Sequence, residues 1–215
     1  MINAFTRLGS ARKPGHMVLV RLWTTAALLS AAIVTIPAGN ASTAAGVPTA
    51  CHAQDEALAN FVTRAMPGPV ATTSFQAEDG SPVSLPALAA KRGAVVNFWA
   101  TWCAPCIREM PQLDALKRDL AEDGIPLIAL SQDRGGLERV KPFYQKQGYK
   151  HLDIHLDPKG AFARSLKIRG LPTTILFDDQ GREVVRVQGL AEWDAPNVAA
   201  FIRRCLKPSQ IGTSG

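Results

Sequence analysis

Two cysteines separated by two residues, Cys103-Ala104-Pro105-Cys106, are the residues of this chain best suited to chemistry. A thiol pair at this spacing can cycle between dithiol and disulfide, or it can supply half of a zinc site. Zinc normally needs a second Cys-x-x-Cys or a close histidine pair. The remaining cysteines, Cys51 and Cys205, stand alone. Of His16, His52, His151 and His155, only the last two are near one another. Redox chemistry is therefore expected, with no metal and no organic cofactor.

The elements around the pair support that choice over an inert structural disulfide. Residues 94–99 form a short apolar, β-branched and aromatic run, the pattern of a strand covered on both faces. After the cysteines, Ile107, Met110, Leu113, Leu116 and Leu120 recur at helical spacing, with charged residues between them. Pro105 suits a first helical turn, where its missing N–H costs nothing. The pair thus lies at a strand-to-helix corner, at the positive end of a helix. That end favours a thiolate on Cys103, and Cys106, three residues on, can close a disulfide with it.

The run Phe98-Trp99-Ala100-Thr101-Trp102-Cys103-Ala104-Pro105-Cys106 resembles the active-site signature of the thioredoxin superfamily. Its continuation through Glu109-Met110-Pro111 resembles the membrane-tethered, extracytoplasmic TlpA, ResA and CcmG branch. Gly170-Leu171-Pro172-Thr173-Thr174 is similar to the superfamily's cis-proline loop, and Gly189-Leu190-Ala191-Glu192-Trp193 is most similar to TlpA-type members. The resemblance spans about residues 70–207. It implies a thioredoxin fold, an α/β class with a central mixed sheet flanked by helices, carrying here an N-terminal extension and a signal-anchor helix.

The resemblance also assigns residues. It implies a cis Leu171–Pro172 bond against the cysteines, with the Leu171 backbone available to a substrate strand; a plain strand-entry proline is the competing role. Trp102 would shield the nucleophile and contact partners, whereas Trp99 is expected to pack. Glu109 falls one turn after Cys106 on the same helix face. A carboxyl held there would be partly desolvated and suited to moving protons during exchange, as the matching glutamate of the ResA group is. The competing role is a first-turn glutamate answering the helix dipole. Asn97 stands where thioredoxins proper carry an acid, which leaves Glu109 as the better proton handler. With Cys103 and Cys106 paired, one connectivity remains for Cys51 and Cys205. TlpA has a second, structural disulfide from its N-terminal segment, but its other cysteine lies near residues 180–183, where this chain has none.

The net charge of +6 belongs largely to the first 54 residues, which hold Arg7, Arg12, Lys13 and Arg21 and no acid. Removing those four from 24 basic residues leaves 20 against 18 acidic ones. No basic block survives in the folded part, so nucleic acid is not an expected partner. Residues 1–21 read as a basic cytoplasmic leader and 22–38 as a signal anchor, its uncharged core at 22–36. Small residues at 38–41 keep a cleaved signal peptide as the alternative. Residues 39–50 read as a linker, 51–69 as a helical extension, 70–207 as the thioredoxin-like domain and 208–215 as a flexible tail. Cys51 lacks the preceding pattern of a lipidated cysteine.

The patterning predicts a helix over 55–66 in the extension and, within the domain, a hairpin over 75–85 and a short helix over 88–93. It then gives a strand over 125–130, a helix over 136–147 kinked at Pro142, an edge strand over 152–156 and a short helix over 162–168. A hairpin of 173–177 with 183–187 and a final helix carrying Val198, Phe201, Ile202 and Leu206 complete the order. The function expected is a monomeric, inner-membrane-anchored periplasmic thiol–disulfide oxidoreductase that reduces partner proteins. The resemblance implies copper-assembly proteins or apocytochrome c as substrates and a membrane thiol electron donor. The rivals are a dithiol oxidase and a copper-chaperone module using the two cysteines and a histidine.

Overall fold

Alternation along one central strand divides the core into two faces. Strand β4 (Ala94–Trp99) is buried at every position, but successive side chains point to opposite sides of the sheet. Val95 and Trp99 join one apolar cluster and Ala94, Val96 and Phe98 the other. Asn97 shares the face of Val95 and Trp99, the face on which the cysteine-bearing helix packs. The structure is a computed structural model that describes residue 51 and residues 58–206. The leader, the 22–38 segment, the linker and the 208–215 tail lie outside the described residues. Among the described residues, no helix is long and apolar enough to cross a membrane.

The other strands are β1 (Phe61–Thr63), β2 (Phe75–Ala77), β3 (Pro82–Val83), β5 (Leu127–Ser131), β6 (His155–Leu156), β7 (Thr173–Phe177) and β8 (Glu183–Gln188). They form one mixed sheet in the order β1-β8-β7-β4-β5-β6-β2-β3. β4 runs parallel to β5 and antiparallel to β7. Helix α2 (Ala104–Ala121) buries Met110, Leu113, Leu116 and Leu120 in the first cluster, each such side chain contributing about 1.5–3 kcal/mol. Helices α3 (Leu137–Gln147) and α5 (Pro196–Cys205) add Val140, Tyr144, Val198, Phe201 and Ile202 to it. Helices α1 (Leu85–Ala89) and α4 (Ala161–Ser165) cover the other cluster with Leu85, Ala89, Phe162 and Ala163.

Three elements differ from the sequence expectation. Residues 61–63 are a strand, not part of a helix over 55–66: Phe61-Val62-Thr63 is aromatic and β-branched, and it adds an edge to β8. Phe61 there meets Phe201 edge-on, ring centroids 5.4 Å apart, and Trp193 at 5.5 Å. Residues 155–156 are not an edge, because the β2–β3 hairpin pairs beyond them and the sheet's edges are β1 and β3. The helix expected at 88–93 begins earlier, at Leu85, where Ser84 and Pro86 open it. Its far end gives way to Gly93 at φ 83°, a left-handed turn into β4.

Cys205 ends α5 and is bonded to Cys51, with Cα atoms 4.6 Å apart across 154 residues. The Thr63 hydroxyl at the end of β1 donates to the Cys51 carbonyl at 2.7 Å. Residue 51, the edge strand and the last helix are thereby joined.

Candidate active site

Cys103 is the N-cap of α2. Its backbone is extended and its sulfur accepts the Cys106 N–H at 3.3 Å. Pro105 sits in the first turn, as its fixed φ favours. Cys103 and Cys106 are bonded, with Cα atoms 5.3 Å apart. Cys106 is fully buried and Cys103 is 5% exposed, so of the two residues only Cys103 retains any contact with solvent. A thiolate formed there would keep the helix N-terminus and the Cys106 N–H as its support.

The loop that delivers Cys103 is anchored from the neighbouring strand. Asp133, just beyond β5, is buried and accepts from the Thr101 N–H (2.9 Å), the Thr101 hydroxyl (2.6 Å) and the Ser131 hydroxyl (2.9 Å). Between that anchor and Cys103 stands Trp102, 70% exposed. Trp99, by contrast, is fully buried, its ring 5.5 Å from Phe143 and 5.8 Å from Tyr144.

The Leu171–Pro172 peptide bond is cis. Thr173 pairs with Phe98, so residues 171–172 lie at the end of β4 from which the cysteine loop departs. Leu171 packs against both apolar clusters. The Pro172 carbonyl accepts the Gly189 N–H at 2.9 Å, which ties the cis-proline loop to the segment 189–193.

Glu109 is buried on α2, 2% exposed. Its Oε1 accepts from Asn97 Nδ2 at 2.8 Å and its Oε2 from the Trp193 indole N–H at 2.9 Å. Asn97 Nδ2 also donates to the Thr174 hydroxyl at 2.9 Å. Burial pushes the Glu109 carboxyl above its ordinary range, while the N–H groups of Trp193, Asn97 and Ala191 pull it back part of the way. A buried carboxyl with raised proton affinity, one helical turn from Cys106, can accept and return a proton.

The structure thus brings Cys103, Cys106, Trp102, Glu109, Leu171 and Pro172 to one end of β4 and α2, and places Cys51 and Cys205 elsewhere, at the end of α5. Three residues were not singled out from sequence. Trp193 lay in a segment noted for its resemblance, without a role. Asp133 carried a usable signal, because it follows a parallel strand at its carboxyl end, where sites of α/β sheets gather. Thr174 carried none. Among the described residues, no group of three or more His, Cys, Asp or Glu side chains is placed to hold a metal ion.

Comparison with known proteins bears on the family and the fold. A family model described as Redoxin matches residues 44–202. The thiol-disulfide oxidoreductase ResA of Bacillus thuringiensis subsp. konkukian (strain 97-27) is 33% identical over 98 residues, covering 46% of this chain and 56% of that protein. The thiol:disulfide interchange protein HelX of Rhodobacter capsulatus is 32% identical over 120 residues, covering 56% and 62%. The chain therefore matches somewhat over half the length of these curated relatives. Among solved structures, a thiol:disulfide interchange protein of the thioredoxin family from Chlorobium tepidum TLS is similar, with a TM-score of 0.51 and 26% identity over 66% of this chain and 99% of that one. The α/β architecture is thioredoxin-like. The relatives compared carry the ResA and HelX names, and the TlpA likeness of residues 189–193 rests on sequence resemblance.

Proposed function

Since the chain belongs to the Redoxin family, we propose that it is a thiol–disulfide oxidoreductase that reduces disulfides of partner proteins. The observation that carries this reading is the placement of Cys103: N-cap of α2, bordering solvent, bonded to a buried Cys106, with buried Glu109 one turn further on. In the dithiol form the Cys103 thiolate attacks a partner disulfide, forming a mixed disulfide and releasing one partner thiolate, which takes a proton from solvent. Cys106 gives its proton to the Glu109 carboxylate and attacks the Cys103 sulfur. The second partner thiolate leaves and takes up that proton. The partner has gained two electrons and two protons, and the chain is left as the Cys103–Cys106 disulfide. A thiol donor then restores the dithiol. No step needs a metal or an organic cofactor.

Exposed Trp102, half-exposed Leu190 and the cis Leu171–Pro172 turn supply the surface on which a partner segment would lie. The ResA and HelX names of the relatives support the exchange chemistry. The sequence resemblance supports a periplasmic setting behind the 22–38 anchor, a membrane thiol donor, and copper-assembly proteins or apocytochrome c as substrates. The test is trapping. Cys106→Ala, mixed with a protein disulfide, should accumulate a mixed disulfide through Cys103, and Cys103→Ala should accumulate none. Equal trapping by both variants, or by neither, would overturn the reading.

A further inference from the structure

Every hydrogen-bond partner the structure gives the Glu109 carboxyl is a donor. Asn97 Nδ2 faces Oε1, and the Trp193 indole N–H faces Oε2; the Ala191 N–H also contributes. This shell suits a carboxylate. A proton on Glu109 would meet no acceptor in it, and an unpaired buried hydroxyl costs about 1–3 kcal/mol. One acceptor is nevertheless close at hand and unused. Asn97 Oδ1 is buried with no hydrogen-bond partner among the described residues, although Asn97 itself is fully buried. An orphaned oxygen on the residue that touches the proton-handling carboxyl calls for a physical reason.

Resting on the role proposed for Glu109, we propose that Asn97 is a positioning residue whose side-chain amide turns over when Glu109 takes up a proton. With Glu109 ionised, Nδ2 donates to Glu109 and Thr174, as observed. Rotation of the amide by half a turn exchanges Oδ1 for Nδ2 at the same two contacts. Oδ1 then accepts from the Glu109 carboxylic O–H. It also accepts from the Thr174 hydroxyl, which can donate as well as accept and needs only to rotate. The turned amide leaves two N–H hydrogens unpaired where one acceptor was unpaired before. It is therefore held only while Glu109 carries its proton, and it returns when the proton leaves.

The device gives Glu109 a bond to Asn97 in both protonation states, so taking the Cys106 proton and passing it on breaks no net contact. An ionised aspartate at position 97 could not do this, because it has no donor for the carboxylate. Other charges leave the pair to itself. Arg108, Glu192 and Asp194 are the charged neighbours in sequence, on α2 and on the segment 189–193, and all three are exposed. β4 and β7 present Asn97 and Thr174, both uncharged. Cys106, one turn away on α2, is held in the disulfide.

The experiment is a pH titration of the intact, isotope-labelled chain in its disulfide form, followed by NMR at the Asn97 side-chain amide and the Glu109 carboxyl. The Glu109 signal is identified by its loss in Glu109→Gln. The expected result is that the two Asn97 amide hydrogens leave their hydrogen-bonded positions with the same midpoint as Glu109. Amide signals that stay fixed through that midpoint would overturn the proposal and point to a buried water on Oδ1. A second readout uses Asn97→Leu. Trp193→Phe is the reference, because the indole N–H can serve only the carboxylate. If Asn97 serves both states, Asn97→Leu raises the Glu109 midpoint less than Trp193→Phe does, and an equal or larger rise would contradict the turn. Neither readout involves a partner disulfide. A chain that titrates in this way but exchanges no disulfides would sink the proposed function and leave this inference standing.

Discussion

The indole N–H of Trp193 reaches Oε2 of Glu109 at 2.9 Å, joining two residues 84 positions apart. Through this bond the segment 189–193 is fastened to the active-site helix, and the backbone N–H of Trp193 donates to the Gln112 side-chain oxygen at 3.3 Å. The segment's other end is fastened to Pro172. One short stretch therefore links the cis-proline loop, which would grip a partner, to the group that would move the proton.

Trp193→Phe keeps the ring in its apolar site and removes the donor. Because that donor lowers the proton affinity of Glu109, its loss should raise it further. The acid limb of the rate profile for disulfide reduction, where Glu109 must lose its proton to serve as base, should move to higher pH, with the rate at neutral pH falling about 10- to 100-fold if the bond's full charge-assisted value is lost. An unchanged pH profile would show that the bond is only structural.

Glu109 also links stability to pH. Its folded-state pKa is raised by burial, so the native state holds this proton more tightly than the unfolded chain does. The favourable contribution is complete below the ordinary glutamate pKa and is lost as pH rises through the folded-state value. Urea unfolding at a series of pH values should show the wild type losing stability, relative to Glu109→Gln, across that window and levelling off above it. Parallel curves would contradict the assignment.

Asp133→Ala leaves the Thr101 N–H and hydroxyl without their acceptor. A stability loss of about 1–3 kcal/mol is expected. The exchange rate should fall more than stability alone explains, by up to about 100-fold, because the loop that aims Cys103 has lost its anchor. Thermal melts and rates measured on the same samples separate the two effects.

The bond between Cys51 and Cys205 closes a loop of 154 residues. Replacing both cysteines by alanine should cost about 5 kcal/mol by the chain-entropy relation. The exchange activity of Cys103–Cys106, measured well below the melting temperature, should be unchanged. Loss of activity at equal foldedness would mean that the α5 end of the molecule also serves the site.

Legibility in the sequence followed physical locality. The strand–Cys-x-x-Cys–helix corner and the 173–188 hairpin were readable because each is set by adjacent residues: a buried β-branched run, an apolar stripe at helical spacing, a turn at 178–181. Residues 58–66 were not, since Leu58, Phe61, Val62 and Met66 fit a helical period while pairing with β8 decided for a strand. The order of β6 in the sheet was equally hidden, because it depends on a hairpin some 75 residues earlier folding against it. Cys103, Cys106 and Glu109 announced themselves by spacing. Trp193, Asp133 and Thr174 act through contacts between distant segments, for which no local pattern exists.

The most direct test of the central claim is the reduction potential of Cys103–Cys106, measured by equilibrating the chain against defined thiol buffers. A potential near or below about −230 mV, in the range of thioredoxin and the glutaredoxins, is the expected result and fits a reductant of protein disulfides. A value near about −120 mV would make the chain a disulfide donor and contradict the proposed direction of exchange. A pair that forms no reversible disulfide at all would contradict the redox assignment itself.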